Sequence, residues 1–77
     1  MPNISREDFL AFLGEALMYD EAPLAMDKPF PELVFDSTGK LMLAAALEER
    51  YGLQASVDDL IACKTPGDVY GLLQQRG

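Results

Sequence analysis

The stretch that most limits what this chain can fold into runs from residue 35 to residue 51. An Asp-Ser-Thr cluster at residues 36–38 precedes a run rich in Leu, Ala, Met and Glu, which are strong helix formers. Such a polar cluster is typical of a helix start, and Gly52 is typical of a helix end. We therefore predict a helix from about Ser37 to Tyr51.

The predicted helix is apolar on two sides, as a rotation of about 100° per residue shows. One sector contains Leu43, Ala44, Leu47 and Tyr51, and the other contains Thr38, Leu41, Met42 and Ala45 with Glu49 beside them. A helix on a protein surface needs only one apolar face. The second face therefore predicts a surface that docks into a partner. The alternative is a central helix that is buried on most sides.

The hydroxyl group of Ser37 lies where this helix is expected to begin. Free backbone N–H groups and the positive end of the helix dipole would suit a phosphate bonded to that serine. The alternative is that Ser37 or Asp36 is only the N-cap of the helix. If Ser37 is the cap, its replacement by alanine should cost about 1 kcal/mol of stability.

Composition narrows the class of protein. The chain has 77 residues, which predicts one domain over residues 1–77, and its net charge of −7 argues against a nucleic-acid partner. With no histidine and a single cysteine, it can form neither an internal disulfide nor a zinc site. A reduced, cytoplasmic setting fits this composition. We expect no signal peptide and no membrane span.

Three further helices are predicted. The first runs from about Ser5 to Met18, a short one from about Val57 to Cys63, and the last from the N-cap Thr65 to about Gln75. Residues 19–36 form a long connection, whose candidate anchors to the core are Leu24, Met26, Phe30, Leu33 and Phe35. The predicted fold is all-α, a small four-helix bundle of three main helices and one short helix, with a long loop between the first two.

Side chains that could suggest an enzyme are better explained by structure. Asp58 and Asp59 are adjacent on a helix, so they point in different directions, and acidic residues in a first turn stabilise the helix dipole. Cys63 is expected to be a buried, inert thiol because no histidine is present to activate it. A hydrolase using Ser37 would lack a base for the same reason.

Three short motifs lie in register along the chain. They are Asp36-Ser37, Leu-Glu-Glu-Arg-Tyr-Gly at residues 47–52 and Thr-Pro-Gly-Asp at residues 65–68. With these motifs the chain resembles the acyl carrier protein family over nearly its whole length. Residues 29–33 are similar to the segment that leads to the modified serine in polyketide-type carriers. The resemblance implies that Ser37 receives 4′-phosphopantetheine.

The resemblance also implies a function without catalysis. Such a carrier holds acyl intermediates or building blocks as thioesters on the phosphopantetheine arm. Its partners would be a phosphopantetheinyl transferase and acyl-loading, ketosynthase or acyltransferase-type enzymes of a polyketide or antibiotic pathway, and the carrier would be a monomer that binds neither nucleic acid nor membrane. Asp36 would orient the partner or the phosphate. The partner-binding face would consist of Thr38, Leu41, Met42, Ala45, Glu48 and Glu49.

Five positions depart from the family pattern. Thr38 replaces the usual leucine, Gly39 a residue that is often acidic, Met42 a glutamate of many fatty-acid carriers and Val34 a common glycine, while Lys40 adds a positive charge. These changes argue against generic fatty-acid synthesis and favour a dedicated set of partners in secondary metabolism. Because the chain begins with Met and stops soon after the last helix, a free-standing carrier is expected.

Two alternatives stay open at this point. A peptidyl carrier of a nonribosomal peptide pathway would more often have Gly-Gly-His/Asp-Ser around the modified serine, and that pattern is absent here. A small acidic helical interaction module would use the same helix for docking, carry no prosthetic group and have Ser37 only as a helix cap.

Overall fold

Four α-helices make up the regular structure of the computed structural model, which describes residues 4–21 and 23–76. They are α1 (Arg6–Ala16), α2 (Ser37–Tyr51), α3 (Val57–Ile61) and α4 (Pro66–Arg76). No strand occurs within these described ranges. The prediction of a small all-α bundle, with three main helices, one short helix and a long loop between the first two, is confirmed. None of the helices found in these ranges is long and apolar enough to cross a membrane.

Side-chain hydroxyl groups cap three of the four helices. Ser5, Ser56 and Thr65 each precede a helix, and each hydroxyl oxygen accepts a hydrogen bond from the backbone N–H three residues later, at 3.0, 3.2 and 3.2 Å. At α3 and α4 the aspartate at that third position also accepts a hydrogen bond from the capping residue's own N–H. These reciprocal bonds satisfy backbone donors that a helix start would otherwise leave unpaired.

α1 and α3 end earlier than the sequence suggested. α1 ends at Ala16 rather than Met18, because Met18 adopts a left-handed backbone with φ of 54°. α3 ends at Ile61 rather than Cys63, where the Cys63 N–H turns back to the Leu60 carbonyl at 3.0 Å in a tighter turn. α4 continues to Arg76, one residue beyond its predicted end.

The core lies where the inner faces of the helices meet. Its buried apolar residues are Phe9, Phe12, Leu13, Leu17, Phe30, Phe35, Leu43, Ala44, Leu47, Leu53, Leu60, Cys63, Val69 and Leu73. The aromatic and leucine side chains on the inner side of α1 therefore belong to the core, and so does the predicted sector of α2 that begins at Leu43. α2 packs against both α1 and α3, which gives it a fixed position in the bundle.

The long connection between α1 and α2 is anchored by aromatic side chains. Phe30 and Phe35 are buried, and Leu24 and Met26 pack against the core, as predicted. Leu33 was wrongly predicted to be a core anchor, because its side chain is 94% exposed. The reason is a turn in which the Pro31 carbonyl accepts hydrogen bonds from the N–H groups of residues 34 and 35, at 3.0 and 2.9 Å. This turn directs Phe35 inward and Leu33 outward.

Candidate functional site at the start of the second helix

Ser37 is the first residue of α2, and its side chain is exposed. The N-cap is Asp36, whose Oδ1 accepts a hydrogen bond from the Gly39 N–H at 2.8 Å. Among the described residues, no hydrogen bond involves the Ser37 hydroxyl. Of the two caps that the sequence left open, the structure selects Asp36. The alternative in which Ser37 itself is the helix cap is therefore wrong, and no described residue bonds to its hydroxyl group.

The backbone around Ser37 is suited to an anionic group. The N–H groups of Ser37 and Thr38 find no acceptor within the described part of the chain, as is usual for a first helical turn. These donors and the positive end of the helix dipole favour negative charge nearby. A phosphate ester on Ser37 Oγ would therefore lie near these unpaired N–H groups, at a solvent-exposed position.

Gly39 and Lys40, in the first turn of α2, hold the incoming loop close to the helix. A Cβ atom on Gly39 would collide with the carbonyl oxygen of Val34 and lie 3.1 Å from its carbonyl carbon. The Lys40 ammonium donates a hydrogen bond to the Phe35 carbonyl at 2.7 Å. Both residues had been noted only as departures from a family pattern. A glycine inside a run of strong helix formers was the one sequence signal of this close approach.

The outer face of α2 is exposed to solvent. Thr38, Ala45, Glu48 and Glu49 are exposed, Leu41 is 61% exposed and Met42 is half-buried. The opposite face is buried in the core, so the two-sided pattern of the sequence corresponds to one buried and one exposed face. The alternative of a central helix buried on most sides is wrong.

Two more exposed apolar side chains lie on neighbouring elements. Leu33 is in the loop that enters α2, and Ile61, which is 60% exposed, is the last residue of α3. The loop that carries Leu33 leads into α2, and α3, which carries Ile61, packs on α2. Both residues therefore lie on elements next to the helix that begins with Ser37. Sequence reasoning had assigned Leu33 to the core and had not singled out Ile61.

The remaining candidate chemical groups have structural roles. Asp59 closes the capping box of α3 with Ser56. Across residues 4–21 and 23–76, no group of three or more His, Cys, Asp or Glu is placed to hold a metal ion. Cys63 is buried, and its Sγ donates a weak hydrogen bond to the Asp59 carbonyl at 3.5 Å.

The Cys63 thiol is expected to react slowly with alkylating reagents in the native protein. Burial raises the pKa of the thiol, and the negative charges of Asp68 and Asp59 raise this pKa further. Less thiolate, the reactive form, is therefore present at neutral pH. Iodoacetamide labelling followed by mass spectrometry should be slower for the folded protein than for the protein in urea, because burial keeps the reagent away from the thiol and lowers its thiolate fraction. Equal rates in the two states would contradict this expectation.

Comparison with known proteins identifies the family. Residues 7–73 match the family model described as "Phosphopantetheine attachment site". This match spans most of the chain, and the protein belongs to that family of acyl and peptidyl carrier proteins. No curated protein matches the chain, and neither does any solved structure.

Membership in this family defines the general role of the chain. Members are non-catalytic carriers, and they bear covalently attached 4′-phosphopantetheine. Such a carrier interacts with a phosphopantetheinyl transferase and with biosynthetic enzymes. The start of α2 fits this group, because it offers an exposed serine hydroxyl group beside unpaired backbone N–H donors.

Proposed function

We propose that this chain is an acyl carrier protein that acts as a monomer and a single domain. It holds acyl intermediates or building blocks on 4′-phosphopantetheine attached to Ser37 and presents them to enzymes of a polyketide or related biosynthetic pathway. One observation carries the assignment of the site. Ser37 begins α2 with an exposed, unbonded hydroxyl group, while its neighbour Asp36 makes the cap.

Attachment uses the Ser37 oxygen as the nucleophile. In a transferase, Ser37 Oγ would form a bond to the phosphorus of the phosphopantetheine phosphate of coenzyme A while the phosphoanhydride bond breaks; 3′,5′-ADP would leave, and the serine proton would pass to a base of the transferase or to solvent. The unpaired N–H groups of Ser37 and Thr38 would favour the negative charge of the phosphodiester. Asp36 keeps the helix start ordered through its bond to Gly39, and so fixes the direction of the serine. When bound, the arm supplies a terminal thiol that carries the acyl group as a thioester.

The exposed face of α2 is proposed to bind the partner enzymes. It combines apolar side chains near Ser37 with carboxylates farther along the helix, so it suits a partner groove that is apolar at one end and basic at the other. Its proposed members are Thr38, Leu41, Met42, Ala45, Glu48 and Glu49. Transient docking is enough for such a carrier, because tethering raises the effective concentration of the cargo.

A dedicated biosynthetic pathway fits the first turns of α2 better than general fatty-acid synthesis does. Many fatty-acid carriers have acidic residues where this chain has Gly39 and Met42, and Lys40 adds a positive charge. The segment before Ser37 is similar to that of polyketide-type carriers. This combination supports a specific set of partners whose contact with the helix start is more apolar.

Intact-mass measurement tests the attachment site directly. The unmodified protein is incubated with coenzyme A and a broad-specificity phosphopantetheinyl transferase, beside Ser37→Ala and Thr38→Ala. We expect the wild type and Thr38→Ala to gain one phosphopantetheine and Ser37→Ala to gain none. Thr38→Ala is the matched control because it removes the adjacent exposed hydroxyl group. Because the cap is Asp36 and not Ser37, Ser37→Ala should lower the free energy of unfolding by less than the loss of a cap does, which is about 1 kcal/mol.

Two results would count against the proposal. A gain of mass in Ser37→Ala would place the attachment elsewhere. If a folded, unmodified wild type gained no mass, the chain would have the carrier fold but would not be loaded, and the proposal would be wrong. Once loading is established, a mass scan after incubation with polyketide acyltransferases or peptide adenylating enzymes would separate an acyl carrier from a peptidyl carrier.

A further inference from the structure

Lys40 is not a freely solvated surface lysine. Its side chain is half-buried, and it reaches back five residues to donate a hydrogen bond to the Phe35 carbonyl at 2.7 Å. The same ammonium lies 4.5 Å from the centre of the Phe35 ring. A hydrogen bond from a charged donor together with a cation–π contact holds the side chain in one place.

The Phe35 carbonyl is available to Lys40 because of how α2 begins. In a continuing helix this carbonyl would accept from the N–H of Gly39, four residues later. That N–H instead donates to the Asp36 side chain at 2.8 Å. The Lys40 ammonium takes the vacant position as donor, so one carbonyl next to the helix start is satisfied by a side chain from within the helix.

The contact extends from Lys40 into the rest of the bundle. The Phe35 ring stacks on the Phe30 ring, with centroids 4.1 Å apart and an angle of 22° between the planes. The Phe30 N–H donates to the Lys64 carbonyl at 3.0 Å, in the connection between α3 and α4. Lys40 is therefore the α2 end of a chain of contacts that joins the helix start, the loop before it and the connection between α3 and α4.

We propose that Lys40 is a positioning residue for the modification of Ser37. Its ammonium fixes the Phe35 carbonyl against the first turn of α2, and so fixes the two residues between Phe35 and Thr38, one of which is Ser37. This inference rests on the proposed function, because the group that is positioned is the serine that receives phosphopantetheine. A serine held in one orientation spends more of its time in the geometry that the transferase needs.

The test compares three lysine variants as substrates of the transferase. Lys40→Met removes the donor and the charge but keeps an unbranched side chain, and Lys40→Arg keeps a cationic donor. Lys28→Met is the matched control, since Lys28 is an exposed lysine of the loop that precedes α2 and its loss changes the net charge equally. The initial rate of loading is measured against carrier concentration at saturating coenzyme A, which separates kcat from KM.

We expect Lys40→Met to lower kcat about tenfold, a loss consistent with misplacing a reacting group. Lys40→Arg should stay within about threefold of the wild type, because the donor and the cation–π contact are kept. Lys28→Met should leave kcat unchanged. A purely electrostatic effect on docking would instead change KM, and would do so similarly in Lys40→Met and Lys28→Met.

Amide hydrogen exchange gives a second measurement that does not depend on loading. Lys40→Met should speed exchange at residues 34 and 35, whose N–H groups bond to the Pro31 carbonyl, and at Gly39. The amides of Leu43 and Leu47 in the buried part of α2 should exchange as in the wild type. Lys40→Arg should restore slow exchange at the three affected positions.

Each remaining outcome would overturn the proposal. Lys40→Met with unchanged kcat and unchanged exchange, in a wild type that loads normally, would refute the role of Lys40 alone. If Lys40→Met speeds amide exchange along the whole of α2 and Lys40→Arg does not restore slow exchange, Lys40 only stabilises the helix and the positioning role is wrong. A wild type that does not load would refute the proposed function itself, and the positioning role with it.

Discussion

Gly39→Ala is expected to destabilise the fold by about 2–3 kcal/mol, as overpacking of a close contact does. The added methyl group would collide with the Val34 carbonyl oxygen. That atom belongs to the backbone, so it cannot move aside by a change of rotamer, and the loop before Ser37 must shift. Loading of Ser37 should slow as a consequence. Urea unfolding followed by circular dichroism measures the first effect, and the transferase assay measures the second.

Gly71→Ala provides the matched control for this prediction. Gly71 is an exposed glycine of α4, and a Cβ atom there would meet no atom within 4 Å. Alanine is favoured over glycine in a helix by about 1 kcal/mol, so Gly71→Ala should be neutral or stabilising. Gly39→Ala should therefore lower the free energy of unfolding, and Gly71→Ala should not. A Gly39→Ala protein as stable as the wild type would show that the loop is not held against α2.

Leu43→Ala is expected to lower the free energy of unfolding by about 3 kcal/mol or more. Leu43 is completely buried, so truncation removes apolar contacts and leaves a cavity. A domain of this size has a total stability of roughly 4–12 kcal/mol. The loss is therefore a large share of what holds the fold together. The measurement is the midpoint of urea unfolding, with the slope of the transition as a check on two-state behaviour.

Leu41→Ala makes the same chemical change on the other face of the helix. Leu41 is 61% exposed, so its truncation should change stability by less than about 0.5 kcal/mol. If this face binds partners, Leu41→Ala should instead raise KM in the transferase reaction by several-fold, with the fold unchanged. A large loss of stability in Leu41→Ala, or none in Leu43→Ala, would contradict the assignment of the two faces.

The bounds of α2 could be predicted because both of its ends carry local signals. The Asp36 side chain caps the N–H group three residues later, and Gly52 adopts the left-handed backbone, with φ of 70°, that ends the helix. α1 lacks a terminating glycine, and its end depends on the conformation of Met18. The sequence contained no corresponding signal, so this end was misplaced.

The details of the attachment site depended on contacts that a sequence pattern does not contain. The exposure of Leu33 follows from a turn at Pro31, and the packing roles of Gly39 and Lys40 follow from the approach of the loop to α2. Sequence did place Ser37 at the helix start. The hydrogen bond from the Gly39 N–H to the Asp36 side chain shows that Asp36 is the cap, so the Ser37 hydroxyl group is not used for capping.

The burial of Cys63 has a consequence for how long a cargo could be stored. A thioester is lost most readily to another thiol by transthioesterification, or to water with help from a general base. The only cysteine of the chain is buried with a raised pKa, and the sequence contains no histidine. On the proposed function, the chain's own thiol would therefore be a poor competitor for the acyl group held on the arm.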